Sequence, residues 1–152
     1  MKKTQLISVL LLIMALFISG CTAEEPDGVA QYIADVAEQS DLIKISLEQD
    51  VLTQTEMNEK SGELYKLWDD ALNYLWDELE GSLSEADFEG LLDDQTAWTA
   101  EKDDAAEEAG KGYEGGSMYP LVVNCEAARI TEERVVWLYE ILETGCVPSV
   151  NE

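Results

Sequence analysis

Histidine is missing from all 152 residues of the chain. Its absence removes Ser-His-Asp and Cys-His nucleophilic arrangements, together with the commonest transition-metal ligand. Basic residues are scarce: nine Lys and Arg stand against 33 Asp and Glu, for a formal net charge of -24. Such an anion repels nucleic acid and acidic lipid headgroups and attracts basic proteins, peptides or cations at long range. The plainer reading of the charge, a well-hydrated surface that keeps the protein soluble, stands beside that one. Proline occurs only at Pro26, Pro120 and Pro148, so no proline interrupts a helix between Asp27 and Tyr119. No stretch has the spacing of a calcium loop, a phosphate-binding glycine loop or a dinucleotide fingerprint. Carboxylate pairs such as Asp69-Asp70, Asp93-Asp94 and Asp103-Asp104 are too common here to point to glycosidase chemistry. These absences predict a protein that is not an enzyme and that uses no cofactor and no metal.

The one long apolar run stands at the start, MKKTQLISVLLLIMALFISGC, with Lys2 and Lys3 as a basic head and apolar residues from Leu6 to Ile18. That is the layout of a secretory signal. The run falls short of the roughly 20 residues a spanning helix needs, and small and then acidic residues follow it. Ile18-Ser19-Gly20-Cys21 resembles the lipobox of bacterial lipoproteins. The resemblance implies that residues 1–20 are a cleaved signal peptide and that Cys21 carries the lipid. Two or more acyl chains anchor stably where one binds only marginally. The expected location is therefore extracytoplasmic, at the cell membrane, with the lipid on Cys21 as the membrane contact. An ordinary signal peptide followed by a coincidental cysteine is the alternative. Residues 21–28, polar apart from Ala23 and ending in Pro26, Asp27 and Gly28, read as a flexible lipidated tether.

Cleavage leaves roughly 130 residues, enough for one domain with a modest core. It also removes Lys2 and Lys3, which makes the mature protein more acidic still. Apolar positions past the tether recur at helical spacing, so the expected fold is all-α: a small antiparallel bundle of three to four helices over residues 29–146, then a tail at 147–152. A first segment carries Val29, Ile33, Val36, Leu42, Ile43, Ile45 and Leu47 and reads as one or two short helices with a break near Ser40. The next helix has a marked start, with Thr53 and Glu56 at capping-box spacing and Leu52 and Met57 at the staple positions. Leu64, Trp68, Ala71, Leu75 and Leu79 form its stripe, widened by Tyr65, Leu72 and Trp76. Ser84 and Asp87 open a third helix, whose face is read as Leu91, Leu92, Gln95, Trp98, Lys102, Ala105 and Ala109. Gln95 and Lys102 are taken there as boundary positions whose polar ends reach water. Gly110 reads as the carboxyl-terminal cap, and Lys111 to Ser117 as a glycine-rich loop. Ser117 is placed to cap a fourth segment with Pro120 in its first turn, and Thr131 to recap the chain after a kink.

With Cys21 lipidated, Cys125 and Cys146 remain as a pair in an oxidising compartment. One straight helix would hold them roughly 30 Å apart at about 1.5 Å per residue, whereas a disulfide needs Cα atoms about 4.4–6.8 Å apart. A bridge requires a reversal near Ala128 to Thr131; free thiols or an intermolecular bridge are the alternatives.

Several marks together resemble the LprI-like lysozyme inhibitor family. They are Asp69, Leu72, Asn73 and Trp76 in one run, Gln95, Trp98 and Lys102 in the next, then Tyr113-Glu114-Gly115-Gly116-Ser117, then Thr131 and Arg134. The match covers about residues 53–143. Many members have arginine where Lys102 stands, tyrosine where Trp76 stands and a cysteine near Ala106 that would pair with Cys125. That first cysteine is missing here, which removes the family's bridge across the glycine loop. The resemblance implies a small helical envelope protein of a kind that in some cases inhibits lysozyme. A basic lysozyme would be steered towards an acidic chain, and its cleft works through two carboxylates that an inhibitor must cover. The loop Tyr113 to Ser117 is the expected contact, because its glycines allow close backbone approach and Tyr113 offers an amphipathic anchor. As a merely connecting loop it would serve the alternative, an envelope binding or scaffold lipoprotein without enzymatic activity.

Overall fold

The structure is a computed structural model and describes residues 28–147. The expected signal peptide, the expected lipid site at Cys21, nearly all of the expected tether and most of the tail lie outside the described residues. Four helices and one short 3-10 turn account for the described chain: α1 Gly28–Gln49, α2 Gln54–Ser82, α3 Glu85–Gly110, the 3-10 turn Lys111–Tyr113, and α4 Tyr119–Thr144. The all-α expectation holds, and among the described residues there is no strand.

Direction alternates along the chain. Trp68 meets Ser40 and Tyr74 meets Tyr32, so α1 and α2 run antiparallel. Lys102 meets Tyr65 and Phe88 meets Trp76, which sets α3 against α2 in the same sense. Arg134 meets Gln95, so α4 turns back along α3. Asn124 bonds Ser61, and Asn58 bonds Ser117, so α2 and α4 lie parallel. These two helices make the most extensive contact of the bundle, with α1 resting on α2 and α3 on α4.

The core follows from the stripe on α2. Leu64, Trp68, Ala71, Leu75 and Leu79 are all buried, and Leu72 with them. Val36, Leu91, Ala128, Val135, Leu138 and Ile141 close the cluster from the other helices. α2 starts where its capping box does: the Thr53 hydroxyl accepts from Glu56 N–H, and the Glu56 carboxylate accepts from Thr53 N–H at 2.7 Å. Ser84 opens α3 by accepting from Asp87 N–H at 3.2 Å.

Five local expectations give way to tertiary contacts. α1 is continuous through Ser40, because that serine is buried and its hydroxyl accepts from Trp68 Nε1 at 3.0 Å instead of competing for backbone bonds. α3 turns a different face inward: Leu91, Trp98, Lys102, Ala106 and Gly110 pack inward, while Leu92, Ala105 and Ala109 are exposed. Gly110 ends α3 with φ -75, in right-handed geometry, and hands over directly to the 3-10 turn. What it provides is closeness, since a Cβ there would lie 2.5 Å from Val123 Cγ2 and 2.8 Å from Tyr119 Cε2. Ser117 does not cap α4; Met118 holds that position without a side-chain bond, and Pro120 sits in the first turn as expected. Finally, α4 runs unbroken past Thr131, whose hydroxyl donates to Ala127 O at 2.7 Å within the helix. Without a reversal, Cys125 and Cys146 stay at opposite ends of α4. Both are free thiols, so the intramolecular bridge between them is corrected to none. Burial pushes the Cys125 thiol pKa up.

Candidate functional site

The residues singled out from the sequence separate into three places. Asp69 and Asn73 stay on the outer face of α2, where Asn73 Nδ2 donates to Asp69 O at 2.9 Å, an i to i+4 bond that reaches no other helix. Leu72 is core, and Trp76 packs its ring on Phe88 with centroids 5.0 Å apart. Gln95, Trp98 and Arg134 come together, and Thr131, one turn earlier on α4, is fully buried.

Around Arg134 the contacts are dense. Its Nε donates to Gln95 Oε1 at 2.8 Å, and an Nη donates to the Asp94 carboxylate at 2.5 Å. Its guanidinium lies 4.2 Å from the Trp137 ring centre and 5.2 Å from that of Trp98. Burial works against the charged form and lowers the Arg134 pKa, while Asp94 opposes that shift. Arginine suits this place because a planar cation stacks on indole and still offers in-plane donors. One turn away, Lys102 Nζ donates to Tyr65 Oη at 2.8 Å and lies 5.2 Å and 5.7 Å from the Tyr65 and Trp98 ring centres. Desolvation works against its charge, but Tyr65 and Asp103 outweigh that and raise its pKa. Lys102 does not send its ammonium to water but spends it on an interhelical bond to Tyr65, while Gln95, half-buried, gives its Oε1 to Arg134. Asp94, Tyr65 and Trp137 complete the cluster; Tyr65 was legible only as part of the α2 stripe, Trp137 only as standing three residues after Arg134, and Asp94 only as one of many carboxylate pairs. The cluster is a strut that locks α3 to α2 and α4 near the middle of the bundle.

The loop between α3 and α4 stands at the end of the bundle, away from that strut. Residues 111–118 are all exposed, with Tyr113 at 43% and Met118 at 41%. The loop has internal ties despite the missing disulfide: Gly116 N–H donates to Tyr113 O at 2.9 Å, Tyr119 N–H to Gly116 O at 3.3 Å, and Asn58 Nδ2 to Ser117 O at 2.9 Å. Gly115 has φ +73, a left-handed conformation that a side chain would strain. Asn58 was not visible as a loop partner in the sequence, since it lies 59 residues away. Tyr113, Glu114, Gly115, Gly116 and Ser117 thus form one exposed projection at the end of a fixed frame. Chemically the projection offers an aromatic ring, a carboxylate and open backbone groups to a partner.

Among the described residues no group of three His, Cys, Asp or Glu could hold a metal ion, and no helix is long and apolar enough to cross a membrane. The family model described as lysozyme inhibitor LprI matches residues 47–138. No curated protein and no solved structure gives a match.

Proposed function

The chain belongs to the lysozyme inhibitor LprI family, and from that premise we propose that it binds and blocks a basic cell-wall hydrolase of the lysozyme type at the outer face of the membrane. Cys21 carries the lipid anchor, and the Tyr113 to Ser117 loop makes the contact. The observation that carries this reading is the extent of the family match, which runs from the end of α1 through α2, α3 and the loop into α4 as far as Leu138.

The physical case has three parts. A chain of net charge -24 accelerates encounter with a basic partner by long-range attraction. A small projection on a rigid frame can enter a cleft without ordering itself first, which avoids an entropic cost of binding. An inhibitor has no chemistry of its own to perform, so a site without nucleophile, metal or cofactor suffices. An anchor on Cys21 would keep the bundle where wall-degrading enzymes arrive.

Addition of purified protein to a basic animal lysozyme acting on cell walls is expected to slow turnover at micromolar concentration in low salt, with protection weakening as salt rises. An unchanged lysozyme rate under those conditions refutes the proposal. Mass spectrometry of the mature protein tests the anchor separately: a diacylglyceryl group on Cys21 is expected, and an unmodified Cys21 rules it out.

A further inference from the structure

The corner where α2 hands over to α3 carries a cleft of about 510 Å³ lined by Glu80, Leu83, Glu85, Phe88, Glu89 and Leu92. It lies at the opposite end of α3 from the glycine loop. Its floor is apolar: Leu83 and Phe88 pack against the core below, the Trp76 ring backs Phe88, and Leu92 is 48% exposed. Its rim is anionic. Glu80, Glu85 and Glu89 are exposed, and among the described residues none of their carboxylates takes part in a salt bridge or a side-chain hydrogen bond. Glu80 stands in the last turn of α2, where the helix dipole already places negative charge and no basic residue offsets it.

We propose that this cleft docks a lysine or arginine side chain of a basic protein partner. The aliphatic stem would lie on Leu83, Phe88 and Leu92, and the cationic head would meet Glu80, Glu85 and Glu89. A floor of hydrocarbon inside a ring of unpaired carboxylates matches the two ends of such a side chain and matches neither a plain hydrocarbon nor a bare cation. A second copy of this chain is poorly equipped to fill it. Of the seven Lys and Arg among the described residues, Lys44, Lys66, Lys111 and Arg129 are engaged in ion pairs and Lys102 and Arg134 are buried, which leaves Lys60 alone, half-buried on α2, outside any ion pair. Two copies of net charge -24 also repel each other. The identity of the partner as a basic hydrolase rests on the function proposed above, whereas the cleft itself can be tested without it.

The test is an NMR titration of the mature protein with n-pentylammonium, alongside tetramethylammonium as a charge without a stem and 1-pentanol as a stem without a charge. Pentylammonium is expected to shift Leu83, Phe88 and Leu92 and to saturate at a concentration several-fold below either control, with the response lost in E80Q/E85Q/E89Q. Shifts spread evenly over the acidic surface, equal responses to the three probes, or an unaltered response in the triple variant overturn the cleft. A second arm measures lysozyme affinity for E80Q/E85Q/E89Q against E38Q/D41N/E48Q, which removes the same charge from exposed sites on α1. The corner variant should weaken binding about tenfold beyond the α1 variant. Equal losses overturn docking at the corner while leaving the hydrolase as partner. A pentylammonium response at the corner without any lysozyme binding upholds the cleft and refutes the hydrolase as its partner.

Discussion

Arg134 shows how much a single side chain decides here. It is 8% exposed, its guanidinium stacks on two indoles, and its donors hold Asp94 and Gln95 on another helix. Arg134→Ala leaves the Asp94 carboxylate, itself only 23% exposed, without its cation, and is expected to cost about 3 kcal/mol in urea unfolding. Arg134→Lys keeps the charge but loses the planar fork and the stacking, and should recover less than half of that loss. Equal stability of wild type and Arg134→Ala would mean that the cluster is not a strut. Trp68→Phe makes a smaller test of the same kind. It removes the donor that Ser40 accepts from and leaves a fully buried hydroxyl without it, for an expected loss of about 2 kcal/mol, part of it from the smaller ring.

Among the elements, α2 begins with a signal that is entirely local. Thr53→Ala removes the N-cap hydroxyl and is expected to cost about 1 kcal/mol. The Glu56 half of the box is acid-sensitive. The Thr53 backbone N–H, and then its hydroxyl, hold the Glu56 carboxyl below the usual carboxylate range. A lowered folded-state pKa gives a contribution that is fully present above the unfolded value and fades as pH falls through the folded one. The difference in urea midpoint between wild type and Glu56→Gln should therefore be constant near neutrality and shrink below about pH 4. At the other end of α3, Gly110→Ala puts a methyl where Val123 and Tyr119 already stand and should cost about 1–3 kcal/mol by overpacking. The adjoining loop behaves differently, because Tyr113 is exposed and carries no side-chain bond across the bundle. Tyr113→Ala should leave the urea midpoint unchanged while raising the concentration needed to inhibit lysozyme about tenfold. A loss of stability with full inhibition would reverse the assignment of loop and frame.

At the scale of the whole molecule, the excess of 24 negative charges acts on folding and on binding with opposite signs. Acidic residues crowd each other in the compact state, so screening them should stabilise the fold. The urea midpoint is expected to rise between about 10 mM and 500 mM sodium chloride, which span Debye lengths of roughly 30 Å down to under 10 Å. Inhibition of a basic lysozyme should weaken over the same range. Parallel salt trends in the two measurements would show that charge is not what brings the partner in.

Much of this bundle was legible in the residues themselves. Helical spacing, the Thr53–Glu56 box, the Ser84 cap and the Leu64-Trp68-Ala71-Leu75-Leu79 stripe are short-range patterns, and they determined the all-α class and the central helix. Family resemblance carried by Gln95, Trp98, Arg134 and the glycine loop belonged to the same level, because order and spacing along the chain contain it. Tertiary structure decided the rest. Ser40 joined a helix instead of breaking one because Trp68 donates to it from 28 residues away, and Lys102 gave its ammonium to Tyr65 rather than to water. α3 turned Ala106 and Gly110 inward because α4 meets it closely at Gly110. Cys125 and Cys146 stayed apart because α4 never turns back. A chain's local rules specify which segments coil and where they end; which faces meet, and hence what a polar side chain at the boundary will bond to, depends on contacts that exist only once the helices are packed.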